Sequence, residues 1–438
     1  AVQNWNKLTI TGGTFNAEND NVDAVITGCW ESDIGSNGTS VIEGGVFNGA
    51  VTYIDGYSGG IDYEISGGTF TQEVNTAYIA EGSVLYTTDG DSFTVGTDDE
   101  AIAADIKIII DGVGYTEIPE SVVATVGAEG KVPAGYESLQ DAIDAAADGE
   151  TVKLLKNITV DGRVNIYKSL TLDMQGYKIS GGMLYINGGT IAGNSITVNI
   201  SNGSVIGPTY GIIVFNDVTL NIKDVNISAG THNGIFVPLT AYDGDTTVLP
   251  STINIEGGSV SGGNTESAAS VAICGVGDNS ETATKLIANG TTFTGGTFGI
   301  TGNGTAHNTY IELNDCVVTG SVGIYHPQDG DLIINGGEIT GDVTGIEIRS
   351  GTLTVNSGTI TGNGDPFESD PNGNGTTTTG AAIAVSQHTT NLPITVTING
   401  GTFNGIRALY EADLQDEVTQ GVTIERTGRT YNGEVYTG

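Results

Sequence analysis

The stretch Val396-Thr397-Ile398-Asn399-Gly400-Gly401-Thr402-Phe403-Asn404-Gly405 decides the fold. One copy reads as a strand, a turn and a strand: a β-branched run, Asn-Gly-Gly, then a hydrophobe and Gly. Near relatives recur at residues 8–14, 41–46, 253–259, 286–291, 332–338 and 353–359. A unit repeated every roughly 20–50 residues marks a solenoid, because one such unit cannot bury its apolar face alone.

A second column sets the period. A small residue followed by an apolar one recurs at Gly211-Ile212, Gly234-Ile235, Ala272-Ile273, Gly299-Ile300, Gly323-Ile324, Gly345-Ile346, Ala382-Ile383 and Gly405-Ile406. Neighbours are 23, 38, 27, 24, 22, 37 and 23 residues apart. The unit is therefore a coil of 22–27 residues, with long insertions at about 239–271 and 363–381. Two phrases in fixed order within each unit require at least two strand faces per coil, and no helical period lies between them.

Composition agrees. Of 438 residues, 68 are Gly, which suits many tight turns without a Gly-X-Y period. The 14 Lys+Arg against 52 Asp+Glu give a formal charge of −38, which argues against nucleic acid and anionic membrane surfaces as partners. No apolar run is long enough to insert into a membrane. Cys29, Cys274 and Cys316 are an odd set without CxxC spacing and read as small buried or half-buried residues.

One helix is expected, over 138–147. Ser138 is its N-cap candidate, Leu139, Ala142, Ile143 and Ala146 form its apolar stripe, and Gly149 follows. A helix with a single apolar stripe before alternating strands suits a cap on the solenoid. The run Ser138-Leu139-Gln140-Asp141-Ala142-Ile143, then Asp148-Gly149-Glu150-Thr151-Val152, Leu170-Thr171-Leu172-Asp173 and Ile179-Ser180-Gly181-Gly182, resembles the start of pectate-lyase-like right-handed parallel β-helices. It looks most like those repeated as modules in large surface proteins and adhesins of Gram-positive bacteria. The resemblance covers about 122–438, and 1–98 through the Gly-Gly-Thr-Phe phrase. It implies an all-β, right-handed parallel β-helix with one short capping helix.

Three domains are expected. Residues 1–98 carry three phrases and end in a hairpin at Asp89-Gly90, as if closing a β-helix. Residues 99–135 are a linker with a hairpin at Asp111-Gly112. Residues 136–438 form the main β-helix, with no comparable closing hairpin after 406. A closing end thus precedes an opening one, so the C-terminal coils of one copy are expected to dock onto the N-terminal coils of the next, or onto an adjacent module of a longer chain.

Asn289, Asn314, Asn335, Asn356 and Asn399 share one register, and amides stacked coil on coil can form a ladder. Alternation in the Gly-Ile strands sends Ile inward and its successor outward. The outward column reads Ile213, Phe236, Cys274, Thr301, Tyr325, Glu347 and Ala384; two residues on stand Phe215, Asn303, Arg349 and Ser386. Phe215, Phe236, Tyr325, His326, Asp329, Glu347 and Arg349 are therefore the candidates for stacking on sugar rings and holding hydroxyls, unless the insertions fold over them. Glu347, Asp329 and Asp278 are the acids for a glycosidase pair, but no pair is singled out and no second base supports Arg349, so no catalytic residue is assigned. His232, His307, His326 and His388 lack metal spacing. Asp365, Glu368 and Asp370, with Asn372 and Asn374, form a partial calcium loop, as do Asp243/Asp245 and Asp329/Asp331, making calcium the one candidate cofactor.

The function expected is an extracellular or cell-surface structural β-helix, a fibre subunit or adhesin stalk. The alternative is a carbohydrate-binding or carbohydrate-active β-helix using the face around Tyr325, Glu347 and Arg349.

Overall fold

The computed structural model describes residues 2–4, 6–17, 23–28, 39–54, 63–189, 195–238, 249–265, 268–274, 283–303, 309–370, 375–386 and 394–411, and the backbone of strands Val422–Arg426, Arg429–Tyr431 and Glu434–Tyr436. The chain is nearly all β, dominated by long columns of parallel strands in a solenoid-like stack. It divides into two compact units, residues 1–146 with 150–152, and residues 147–149 with 153–438.

In the larger unit each coil contributes three strands, so three apolar columns face inward. In the first strand Val164, Leu184, Ile212, Ile235, Val271, Ile300, Ile324, Ile346, Ile383 and Leu409 are successive parallel partners. The second column runs from Leu170 through Leu220, Leu286 and Leu353 to Val396. The third runs from Ile158 through Ile227, Phe293 and Ile339 to Phe403. Coil-to-coil pairing keeps each hydrophobe over its predecessor, which fixes the register, since a one-residue slip would turn every column outward.

That register corrects two of the small-apolar pairs. Ile235 pairs with Val271 and Ile383 with Leu409, so the pairs in those coils are Ser270-Val271 and Ala408-Leu409. Ile406 is accordingly 48% exposed. The small residue in this column has a steric cause. A Cβ on Gly323 would stand 2.5 Å from the Gly345 carbonyl oxygen, and one on Gly345 would stand 2.5 Å from that of Ala382.

The smaller unit opens with three parallel coils. Strands Val2–Asn4, Val25–Gly28 and Val51–Ile54 form one column, and Lys7–Ile10, Thr39–Ile42 and Tyr63–Ile65 a second. Thr14–Asn16, Val46–Asn48 and Gly68–Phe70 form the third. There Phe15 stacks on Phe47 and Phe47 on Phe70, with ring centroids 5.0 and 4.8 Å apart. Ser83–Tyr86 and Phe93–Thr97 then make a hairpin whose second strand lies antiparallel to Gly68–Phe70, covering its edge.

Segment 99–135 is structured. A hairpin joins Ile108–Ile110 to Val113–Tyr115, and Asp111 and Gly112 at its turn have φ of 50° and 85°, the left-handed pair a two-residue turn needs. Helix Asp98–Ala103 was not anticipated. Its capping box is plain: the Thr97 N–H donates to Glu100 Oε2 at 2.8 Å and the Glu100 N–H to Thr97 Oγ1 at 3.3 Å. Helix Leu139–Ala145 has Ser138 as its N-cap, buries Leu139, Ala142 and Ile143, and packs on strands Ala124–Val126 and Ala134–Tyr136. Past 406, strands Arg429–Tyr431 and Glu434–Tyr436 pair antiparallel, so a hairpin does follow the last coils. Among the described residues, no helix is long and apolar enough to cross a membrane.

Candidate functional site

The outward face of the first strands carries most of the candidates. Its column of register partners is Tyr185, Ile213, Phe236, Ala272, Thr301, Tyr325, Glu347, Ala384 and Tyr410. Ala272 takes the place expected for Cys274, a consequence of the two-residue shift in that coil. Cys274 lies just beyond, its thiol pushed up to about 11 by burial.

The face is closed around Glu347, the alternative in which an insertion folds over it. Glu347 and Arg349 are fully buried and Tyr325 is 9% exposed. The cover is residues 375–378 of the insertion at 363–381. The Thr377 N–H donates to both Glu347 carboxylate oxygens at 2.9 Å, and the Thr377 hydroxyl to Oε1 at 2.7 Å. The Thr378 N–H reaches Oε2 at 3.3 Å. Arg349 donates through Nε to the Ser386 carbonyl at 3.2 Å and through Nη1 to the Gly375 carbonyl. The Tyr325 hydroxyl bonds the Arg349 side chain, and its ring stacks on Phe298 at 5.4 Å. Burial pushes the Glu347 carboxyl up, opposed by the Thr377 hydrogen bonds and the Arg349 charge. The acid is committed to Thr377 and Thr378 of the insertion, and the base to the carbonyls of Gly375 and Ser386.

His326 does not join this face. It stands two residues after Ile324 and pairs with Ile348, so it shares their inward parity and is fully buried. Its Nδ1 lies 3.2 Å from Gln328 Nε2. Burial lowers its pKa to about 4, so the ring is neutral in the folded chain. Asp329 is half-buried at a turn, where its carboxylate accepts the Gly330 N–H at 3.0 Å.

Phe215 is buried against Tyr185 and Ile213, its ring 5.5 Å from that of Tyr185. Phe236 is half-buried and stacks on Tyr210 at 5.3 Å. Arg163 lies 4.5 Å from the Tyr185 ring centroid. These aromatics and Tyr325 stand in separate patches, with Ala272 and Thr301 between Phe236 and Tyr325.

Asp365, Glu368 and Asp370 are exposed, and Glu368 lies in a short strand paired with Thr378–Thr379. Among the described residues, no three His, Cys, Asp or Glu side chains are grouped to hold a metal ion. Asp243, Asp245, Asp278, Asn372, Asn374, His307, His388 and Cys29 lie outside the described residues.

Five amides are linked coil to coil. Asn314 donates to Asn289 at 3.0 Å, Asn335 to Asn314 at 2.8 Å, Asn356 to Asn335 at 2.6 Å and Asn399 to Asn356 at 2.8 Å. The structure holds a second ladder: Asn254 donates to Asn221 at 2.8 Å and Asn221 to Asn199 at 2.9 Å. Its signal is an Asn between two inward hydrophobes, in Val198-Asn199-Ile200, Leu220-Asn221-Ile222 and Ile253-Asn254-Ile255. Tyr310 and Glu312 carry a further bond that no motif in the sequence signals. The Tyr310 hydroxyl donates to Glu312 at 2.6 Å, and that bond raises it to about 12.

The chain matches no known protein-family model, and comparison with curated proteins and with solved structures found no significant match.

Proposed function

We propose that this chain is an extracellular structural module: a right-handed parallel β-helix serving as a fibre subunit or adhesin stalk. Right-handedness follows the strong general preference of parallel crossover connections. The observation that carries the reading is the edge of the first coil. Strands Val2–Asn4, Lys7–Ile10 and Thr14–Asn16 have strand partners on one side only among the described residues. Val2, Leu8 and Phe15 at that edge are only partly buried against the core. Unpaired strand edges beside apolar side chains invite a further coil of the same kind, from another copy or an adjacent module.

The chemistry-bearing residues of the larger unit support the same reading, because Glu347, Arg349 and the amide ladders are spent on holding coils and loops. The resemblance of 122–438 to modules of Gram-positive surface proteins supports a place outside the cell. Negative-stain microscopy tests the proposal: threads joined end to end support it, and single particles at every concentration oppose it.

A carbohydrate-binding reading is favoured by the half-buried Tyr210 and Phe236 beside Tyr185 and Arg163. Aromatic and guanidinium groups of this kind hold sugar rings. Glycan-array binding that disappears in Phe236→Ala would support it, and an array without signal would remove it.

A further inference from the structure

The insertion at 363–381 has the build of a hinged arm. Its strands Glu368–Ser369 and Thr378–Thr379 pair with each other, and the Asp370 N–H donates to the Thr377 carbonyl at 2.7 Å. The two described limbs of the arm therefore satisfy part of each other's backbone. Its two roots meet at Gly364 and Gly380, where a Cβ on Gly364 would stand 2.8 Å from the Gly380 nitrogen. Gly375 and Gly380 have φ of 78° and 82°, so glycines with left-handed backbone bracket the part that touches the sheet.

The second limb of the arm is held down by a small set of polar groups, while Phe367 on the first limb packs edge-on against Tyr410 at 4.9 Å and lies 5.4 Å from the Arg407 guanidinium. Glu347 accepts two consecutive N–H groups of the arm, Thr377 and Thr378, while Arg349 donates to the Gly375 carbonyl. The Thr344 hydroxyl donates to the Thr378 carbonyl, and the Thr377 hydroxyl also lies 3.0 Å from Ser386 Oγ. A carboxylate for N–H groups and a guanidinium for a carbonyl read peptide main chain rather than side-chain identity. The core columns close without the arm. Ile346 pairs directly with Ile383 and Leu353 with Val396, both across the insertion.

We propose that the two described limbs of the arm, 364–370 and 375–380, form a lid closed on a main-chain clamp made by Glu347 and Arg349, which opens on its Gly364 and Gly380 roots. Opening leaves the solenoid intact and exposes Tyr325, Glu347 and Arg349, a site fitted to an extended peptide backbone. The lid is independent of how coils stack end to end. Elements that open separately from the core are those held by few groups, and here the groups are countable.

Hydrogen exchange of the full chain tests this, comparing the wild type with Glu347→Gln and Thr377→Val. The second substitution removes one hydroxyl and touches no core column, so it keeps the test valid if the first fails to fold. The lid predicts that amides at 375–379 exchange at least tenfold faster in each folded variant, while those of Gly351–Gly362 and Ile394–Ile398 keep their wild-type rates. Unchanged exchange at 375–379 would overturn the clamp, and core strands opening together with the arm would overturn the lid.

Discussion

Glu347 and Thr377, thirty residues apart, meet through a carboxylate whose two oxygens each lie 2.9 Å from one main-chain nitrogen. The pairing turns an outward-facing acid into a fixed part of the interior. It also explains why the acid and base of this face are not open to solvent. Removing one partner of such a set strands the other charge in a dry site.

Glu347→Ala is therefore expected to cost about 3–5 kcal/mol by urea unfolding, because Arg349 stays buried without its counter-charge. The double substitution Glu347→Ala with Arg349→Met should cost less than the sum of the singles. A double-mutant cycle reads this coupling directly.

The amide ladder predicts position-dependent losses. Asn335 donates to Asn314 and to Glu312, at 2.8 and 3.1 Å, and accepts from Asn356 at 2.6 Å. Asn335→Ala strands three partners and should cost about 2–3 kcal/mol, whereas Asn399→Ala strands only Asn356 and should cost about 1 kcal/mol. Equal losses in chemical denaturation would mean that the amides act singly.

Coil spacing predicts a steric effect at one glycine. A Cβ on Gly323 meets the Gly345 carbonyl oxygen at 2.5 Å and Ile339 Cγ2 at 2.7 Å. Gly323→Ala should lower stability by about 1–3 kcal/mol. Gly12→Ala, with nothing within 4 Å of its added methyl, should lie near wild type in the same melting experiment.

His326 predicts a pH dependence. Burial lowers its pKa from 6.5 to about 4, so unfolding at mildly acid pH takes up a proton that the folded ring excludes. The contribution is complete above pH 6.5 and is lost as pH falls toward 4, amounting to about 3 kcal/mol. His326→Leu should remove that part of the acid sensitivity, seen as a smaller difference between urea midpoints at pH 7 and pH 4.5.

The solenoid was legible because its determinants are local and repeated: the period of the Gly-Ile pairs, the Asn-Gly-Gly turns and the Thr-Phe strands. Register within coils that carry insertions was not, since Ala272-Ile273 and Ser270-Val271 satisfy the same pattern and only pairing with Ile235 distinguishes them. Alternation alone was sufficient to place His326 inward, two residues from Ile324. That the 363–381 insertion could fold over Glu347 and Arg349 was legible from its length, but the groups that seal them were not, because they depend on where a loop thirty residues away comes to rest. Helix Asp98–Ala103 had a capping box in Thr97–Glu100, but its six residues are too few to show a helical period.

Phe15 offers the most direct test of end-to-end assembly. It stacks on Phe47 at 5.0 Å and ends the phenylalanine column at the coil edge that lacks a further strand among the described residues. Sedimentation velocity over a range of concentrations should show the wild-type chain growing into longer species. Phe15→Asp, which places a charge at that edge, should remain a monomer with the same secondary structure. A wild-type chain that stays monomeric throughout, or a Phe15→Asp variant that associates equally well, would contradict the stacking module.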